Sequence, residues 1–313
     1  VKFTKNIRLG QVSARPQSFY SIIVNENELL ERFGIEIIPF NLNTIIRLVN
    51  EALQHKKGEI KQVVGEMRKV ADLSKISTEA TERIAALKYI LTNTVKEFNL
   101  QSLAVQCWDE LQYQLGICSC FVNALITEEG TPVACESDIH GAISSLMLQA
   151  AGMFTEPTFF SDLTIRHPEN DNAELLWHCG AFPPSLSIDK DKSSIGDHFV
   201  LPSHAPGTCN WQLKKGNITV ARFDGINGKY SLFCGQGKAI DGPYNLGTYV
   251  YLEVNDWPMW EEKIIYGPYI HHTSCIYGNY APVLYEATRY LDGVTFDPAE
   301  PTMEEIRTYL RSN

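Results

Sequence analysis

The sequence predicts an α/β protein in two parts. Residues 1–165 are expected to form a parallel sheet with helices on both faces, and residues 166–313 a β-rich antiparallel sheet or small barrel that ends in helices. Three observations lead there. In the first part, short apolar runs alternate with segments whose apolar residues recur at three- and four-residue intervals. Those helical segments are long enough for parallel crossovers, which need about a dozen residues. After residue 166 the runs become short and β-rich, and Gly, Asn, Asp and Pro turns separate them.

Taken in order, "NIRLGQVSA" (6–14) reads as a strand that runs into a loop holding Arg15 and Pro16. "FYSIIVNENELLERFG" (19–34) has helical spacing and stops at Gly34, and "IEIIPF" (35–40) is a second strand. Helices are expected over 42–56, 58–72 and 77–98, followed by strand "SLAVQCW" (102–108) and helix "GICSCFVNALIT" (116–127). "TPVACE" (131–136) is a fourth strand running into a helix over 139–152, and "PTFFSDL" (157–163) resembles a fifth strand of the same Rossmann-like sheet. In the second part, "ELLWHCG", "NITVARFDGINGKYSLFCGQG" and "GTYVYLEV" are strand-like, with "DGINGK" as a hairpin connection. "NYAPVLYEATRYLDGV" and "TMEEIRTYLRS" return to helix.

Composition excludes some functions. The 313 residues carry 27 Lys+Arg against 37 Asp+Glu, a net charge of -10, and no basic run tracks a phosphate backbone, so a nucleic-acid partner is not expected. No apolar stretch reaches the roughly 18–20 residues of a membrane span, and the opening residues lack the layout of a signal peptide. The eight cysteines, scattered through expected strands and helices, suit reduced thiols in a cytoplasmic protein, and Cys118 and Cys120 form C-x-C rather than a zinc-type C-x-x-C.

In open parallel sheets the ligand sits beyond the carboxyl ends of the strands, where Arg15, Trp108, Glu136 and Asp162 are all expected. The stretch "ACESDIHGA" (134–142) places Glu136 at a strand end, where a buried carboxylate needs a compensating cation or several donors. Asp138 suits the N-cap of the next helix better than a ligand role, and His140 would lie along its first turn. Asp162 repeats the logic of Glu136 one strand later. If those strands are neighbours, two carboxylates converge, which suits a hard divalent ion such as Mn²⁺ or Mg²⁺. "GPYIHHTS" (267–274) is the best source of a third ligand. Adjacent histidines point in different directions, so only one of His271 and His272 would bind. His178 and Cys179 in "LWHCG" would face opposite sides of a strand, which argues against a catalytic dyad.

The segments "RFGIEIIPF", "VQCWDELQYQLGI", "GTPVACESDIHGA", "FFSDLT", "LLWHCGAFPPSL" and "GPYIHHTSCIYGNYAP" together resemble the L-fucose isomerase-like family, related to L-fucose and L-arabinose isomerases. The resemblance implies a Mn²⁺ ion, or Mg²⁺ or another divalent cation, held by Glu136, Asp162 and His271. It also implies aldose–ketose isomerisation of a pentose or deoxyhexose, such as L-fucose or D-arabinose, through a cis-enediolate, with Glu136 and Asp162 sharing the acid and base roles. Arg15, Gln106, Trp108 and His178 are then expected to contact the sugar. The family further implies a homo-oligomer and a first N-terminal domain that this chain is expected to lack. A non-catalytic sugar-binding or regulatory protein, and a metal-dependent epimerase or lyase, are the competing readings.

Overall fold

A computed structural model describes residues 7–301 of the chain. The first unit contains β1 (Ile7–Val12), α1 (Glu26–Phe33), β2 (Ile35–Phe40), α2 (Leu42–His55), α3 (Lys57–Met67), α4 (Thr78–Phe98), β3 (Ser102–Val105), α5 (Glu110–Leu115), α6 (Cys120–Glu128), β4 (Val133–Cys135) and α7 (Ile139–Ala151). Local chemistry sets several of these boundaries. Asn25, Asn41, Ser77 and Asp138 each accept a backbone N–H at a helix start, while Gly34 and Asn99 close α1 and α4 in the left-handed conformation. The helix expected from residue 116 begins only at Cys120, and the expected helix over 19–34 is a short 3-10 turn at Tyr20–Ile22 followed by α1.

The strands of this unit form a parallel four-stranded sheet in the order β2-β1-β3-β4. The strand order reverses between β1 and β3, so the carboxyl ends of those strands and of β4 share one rim.

The strands that follow are β5 (Phe159–His167), β6 (Asn170–His178), β7 (Ser194–Asp197), β8 (Pro206–Gln212), β9 (Asn217–Ile226), β10 (Lys229–Ile240) and β11 (Thr248–Glu253). Helix α8 (Trp257–Tyr266), β12 (His272–Tyr277), α9 (Ala281–Thr288) and β13 (Val294–Pro298) complete the described chain. Nine strands form one mixed sheet in the order β13-β10-β9-β12-β5-β6-β11-β8-β7. An additional antiparallel pairing of β10 with β11 closes the six strands β10, β9, β12, β5, β6 and β11 into a barrel. The expected hairpin connection joins β9 to β10, with Asn227 and Gly228 both at positive φ as a two-residue turn requires.

Two expectations are corrected here. The strand over 157–163 is not a fifth member of the parallel sheet: as β5 it pairs antiparallel with β6 and β12 in the barrel. The helix expected from Asn279 to Val294 ends at Thr288, and the chain turns into β13 beside β10. The expected helix "TMEEIRTYLRS" lies outside the described residues.

The two units meet along α7, which is buried at every position from Ile139 to Gln149. Its small residues let the barrel come close. Ser274 Oγ donates to the Gly141 carbonyl at 3.0 Å, Ser145 and Ser274 share a hydroxyl hydrogen bond, and the Phe223 amide donates to Ser144 Oγ at 2.8 Å. A Cβ on Gly141 would run into the Phe160 ring. Buried serines paired across the seam satisfy donors that an apolar core would orphan.

Candidate cation site

Glu136 stands just past the end of β4, where the chain turns into α7 through two consecutive left-handed residues, Glu136 (φ 63) and Ser137 (φ 60). Non-glycine residues seldom hold this conformation, so the surrounding contacts must hold this corner in place. Ser137 secures the corner: its amide donates to the Val105 carbonyl, and its hydroxyl lies 3.3 and 3.2 Å from the carbonyls of Val12 and Ser13. Glu136 is thereby carried toward the barrel.

There it meets Asp162 and His272, which are opposite one another in the antiparallel register of β5 and β12. His272 Nε2 lies 3.0 Å from Glu136 Oε2 and 3.7 Å from Asp162 Oδ1. All three of these atoms are buried, and none makes a hydrogen bond. A buried polar atom without a partner is costly, so two carboxylate oxygens that both approach one imidazole nitrogen mark a place to look for a ligand. Adjacent ligands around an octahedral ion at roughly 2.1 Å stand about 3 Å apart, the spacing of the Glu136–His272 pair, with Asp162 somewhat farther out.

The rest of the ring is satisfied. His272 Nδ1 is 2.9 Å from Asp138 Oδ2, and Glu136 Oε1 accepts the Trp108 indole N–H at 3.0 Å. Asp138 also caps α7 through Oδ1 on the Gly141 amide and receives both Nη atoms of Arg222, at 2.5 and 3.2 Å. Arg222, from β9, is itself fully buried, and its Nε donates to Asp224 at 2.9 Å, while Asp224 Oδ1 lies 2.9 Å from His140 Nδ1.

These contacts set the protonation states. Burial opposes charge on His272, but the carboxylates of Asp138, Glu136 and Asp162 around it outweigh that and push its pKa up to about 9. Burial likewise raises Glu136, and His272 at 3.0 Å overcomes it to leave the carboxyl lowered. Asp138 falls well below the usual carboxylate range, because Arg222 and His272 outweigh its burial.

The sugar-contact residues expected from the sequence divide. Gln106 Oε1 and His178 Nε2 are buried without partners, as are the three converging atoms. His178 Nδ1 accepts the Cys179 amide at 2.9 Å, which leaves Nε2 to carry the ring's proton, and the ring packs 5.8 Å from Phe160. Trp108 supports Glu136 and packs edge-on against Phe19. Arg15 folds back on its own loop, donating to the Pro16 and Gln17 carbonyls over the Tyr20 ring.

His271 is exposed, with its ring edge-on to His272 at 4.4 Å. One donor atom each from Asp162, His271 and His272 lie within 4.8 Å of one another, so His271 borders the cluster while His272 occupies its buried centre. An open cleft of about 840 Å³ beyond β1 and β2, lined by Gln11, Ser13, Pro39, Asn41 and Glu110, contains none of the converging residues.

Arg222, Asp224 and Phe19 were not singled out in the sequence. The signal for the first two was there: in "TVARFDG" they are charged residues at alternate positions of an otherwise apolar strand. All eight cysteines are free thiols, and hydrogen bonds to the neighbouring thiols of Cys135 and Cys118, followed by burial, raise the pKa of Cys107 and Cys120, which suits inert packing groups. Among the described residues no helix is long and apolar enough to cross a membrane.

A scan against protein-family models finds no match. Curated relatives do resemble the chain. A sulfoquinovose isomerase of Alkalicoccus urumqiensis is 29% identical over 244 residues, covering 78% of this chain and 53% of the relative. A sulfoquinovose isomerase of Priestia aryabhattai is 27% identical over 301 residues, 93% of this chain and 64% of the relative. A third, from Clostridium sp. (strain MSTE9), is 26% identical over 199 residues, 62% of this chain and 42% of the relative. The chain thus spans about half to two-thirds of the length of the first two.

Proposed function

We propose that this chain carries the active site of a divalent-cation-dependent aldose–ketose isomerase, with Glu136, Asp162 and His272 holding the ion. The observation that carries this reading is that two buried carboxylate oxygens without hydrogen-bond partners, Glu136 Oε2 and Asp162 Oδ1, both approach the buried His272 Nε2, at 3.0 and 3.7 Å. Two carboxylate oxygens and one imidazole nitrogen suit Mn²⁺, with Mg²⁺ as the alternative. His272, whose Nε2 approaches both carboxylates, is proposed for the place that the resemblance gave to its exposed neighbour His271.

A bound ion would supply Lewis-acid stabilisation of the negative charge that develops as the proton leaves carbon 2. The remaining work falls to the chain's own side chains. Aldose–ketose exchange moves one proton from carbon 2 to carbon 1 and another between the two oxygens. A carboxylate on either side of the reacting atoms can accept the first proton and return it. Glu136 stays ionised and aimed because the Trp108 indole and His272 hold it. Gln106 Oε1 and His178 Nε2, both without partners, are free to pair with sugar hydroxyls. Phe19 and Phe160 pack against His272, and Trp108 against Phe19, an apolar surround that suits a proton transfer shielded from water.

The similarity to sulfoquinovose isomerases favours a sulfonated aldose over L-fucose or D-arabinose as substrate. Arg15, with its guanidinium bound only to carbonyls of its own loop, is the residue proposed to meet the anionic end. The test is ketose formation from a panel of sulfonated and unsubstituted aldoses, with and without Mn²⁺. Cation-dependent turnover is expected, and Mn²⁺ binding without turnover of any aldose would replace the isomerase reading with a sugar-binding one.

A further inference from the structure

Asp138 has four hydrogen bonds on its two oxygens, and each has a distinct partner atom. Oδ1 takes the Gly141 amide (2.9 Å) and Arg222 Nη2 (3.2 Å), while Oδ2 takes Arg222 Nη1 (2.5 Å) and faces His272 Nδ1 at 2.9 Å. A carboxylate saturated in this way has no proton to offer, so His272 Nδ1 must be the donor, and the ring's remaining lone pair is then on Nε2. Nε2 is the atom that faces Glu136 and Asp162. Arg222 is in turn fixed by its second contact, Nε on Asp224 Oδ2 at 2.9 Å, in a setting with no exposed surface. Its planar fork therefore has one orientation available.

We propose that Arg222 is a positioning residue for cation binding: by locking Asp138 it fixes the Nδ1–H tautomer and the ring plane of His272, so a barrel strand sets the affinity of a site to which it contributes no ligand. This rests on the cation site proposed above. Asp138 alone cannot do the same work. Without the Arg222 fork, a carboxylate held only by one amide at a helix start is free to turn about its χ2 bond and to lose its alignment with Nδ1. A group that orients a metal-ligating histidine through its other ring nitrogen typically governs affinity by 10–100-fold.

The test uses the full chain and Mn²⁺ alone, with affinity read by calorimetric or electron paramagnetic titration and folding monitored by circular dichroism. Asp138→Asn keeps the cap oxygen on Gly141 and turns an N–H donor on His272 Nδ1, which imposes the opposite tautomer. Its Mn²⁺ affinity is expected to fall 10–100-fold with the fold retained. Arg222→Lys keeps the charge but removes the fork, and a loss of about tenfold is expected. In Mg²⁺-loaded protein the ¹⁵N shifts of His272 should report a protonated Nδ1 in the wild type, a readout that a merely structural role would not move. If the wild type binds Mn²⁺ and both folded variants bind within about threefold of it, this inference falls while the cation site stands. If the wild type itself binds no Mn²⁺, the site and the inference fall together.

Discussion

Asp162 and His272 face one another as a directly opposed pair of the antiparallel β5–β12 ladder, on the barrel face turned toward α7. Backbone hydrogen bonds fix this pair: the Leu163 amide donates to the His271 carbonyl at 2.9 Å, one residue from each partner. Two of the three proposed ligands are therefore set by strand register, and only Glu136 is brought from the other unit.

The histidine pair can be separated by single substitutions. His272→Ala is expected to reduce Mn²⁺ affinity by at least about 100-fold, because it removes the buried donor. His271→Ala is expected to stay within about threefold. Titration calorimetry of both variants checks this, and the reverse order would assign the ligand to His271.

Glu136→Gln keeps the shape of the side chain and its contact with the Trp108 indole while removing its charge and basicity. Ketose formation should fall by at least about 100-fold, the usual worth of a positioned acid–base group. Unfolding of the cation-free protein should stay cooperative with a lower midpoint, since the substitution leaves the buried His272 charge with one fewer partner. Turnover near the wild-type rate would take Glu136 out of the chemistry.

Cation binding should release a proton. In the cation-free protein the pKa of His272 is pushed up to about 9 from the ordinary 6.5, and the ion must displace that proton. Apparent affinity should then rise by about tenfold per pH unit from neutrality and level off near pH 9. For stability the sign is opposite. A raised histidine pKa stabilises the cation-free fold fully below 6.5, and that contribution is lost as pH rises through about 9. Melting curves of the cation-free protein should therefore fall over that window, and saturating Mn²⁺ should restore them. A melting temperature flat from pH 6.5 to 9 in the absence of cation would contradict the buried ion pair.

Gly141→Ala tests the seam between the units. The new methyl would meet the Phe160 ring and lie 3.0 Å from Asp138 Oδ2. Overpacking of this kind costs roughly 1–3 kcal/mol, and denaturant unfolding should show it, together with weakened Mn²⁺ binding as Asp138 is displaced. Unchanged unfolding would mean that the seam has room to give.

Much of the first unit was legible in the sequence because its helices are long, periodic and capped, and Glu136 stood out as an acidic residue where an apolar strand meets a helix. Asp162 stood out for the same local reason, yet "PTFFSDL" was assigned to the wrong sheet. An apolar run shows that a strand is buried and says nothing of which strands it joins; here β6 and β12 decide that, and β12 is over 100 residues away. The choice between His271 and His272 is one of burial at the start of β12, since a donor atom of each lies within 4.8 Å of Asp162, and burial at a single position is not written in an adjacent pair. Arg222 was hidden for a related reason, since its partner Asp138 is 84 positions distant in the chain.

The left-handed corner at Glu136 and Ser137 has an evolutionary corollary. Glycine would relax either position by about 1 kcal/mol, so a selection for heat resistance alone should drift toward Gly there. Ser137→Gly would release the tie to the carbonyls of Val12 and Ser13, and a glycine at 136 would delete the carboxylate itself. Gain in robustness should therefore be found with glycine at position 136, at the expense of the proposed cation site, whereas at 137 the lost ties offset the relief.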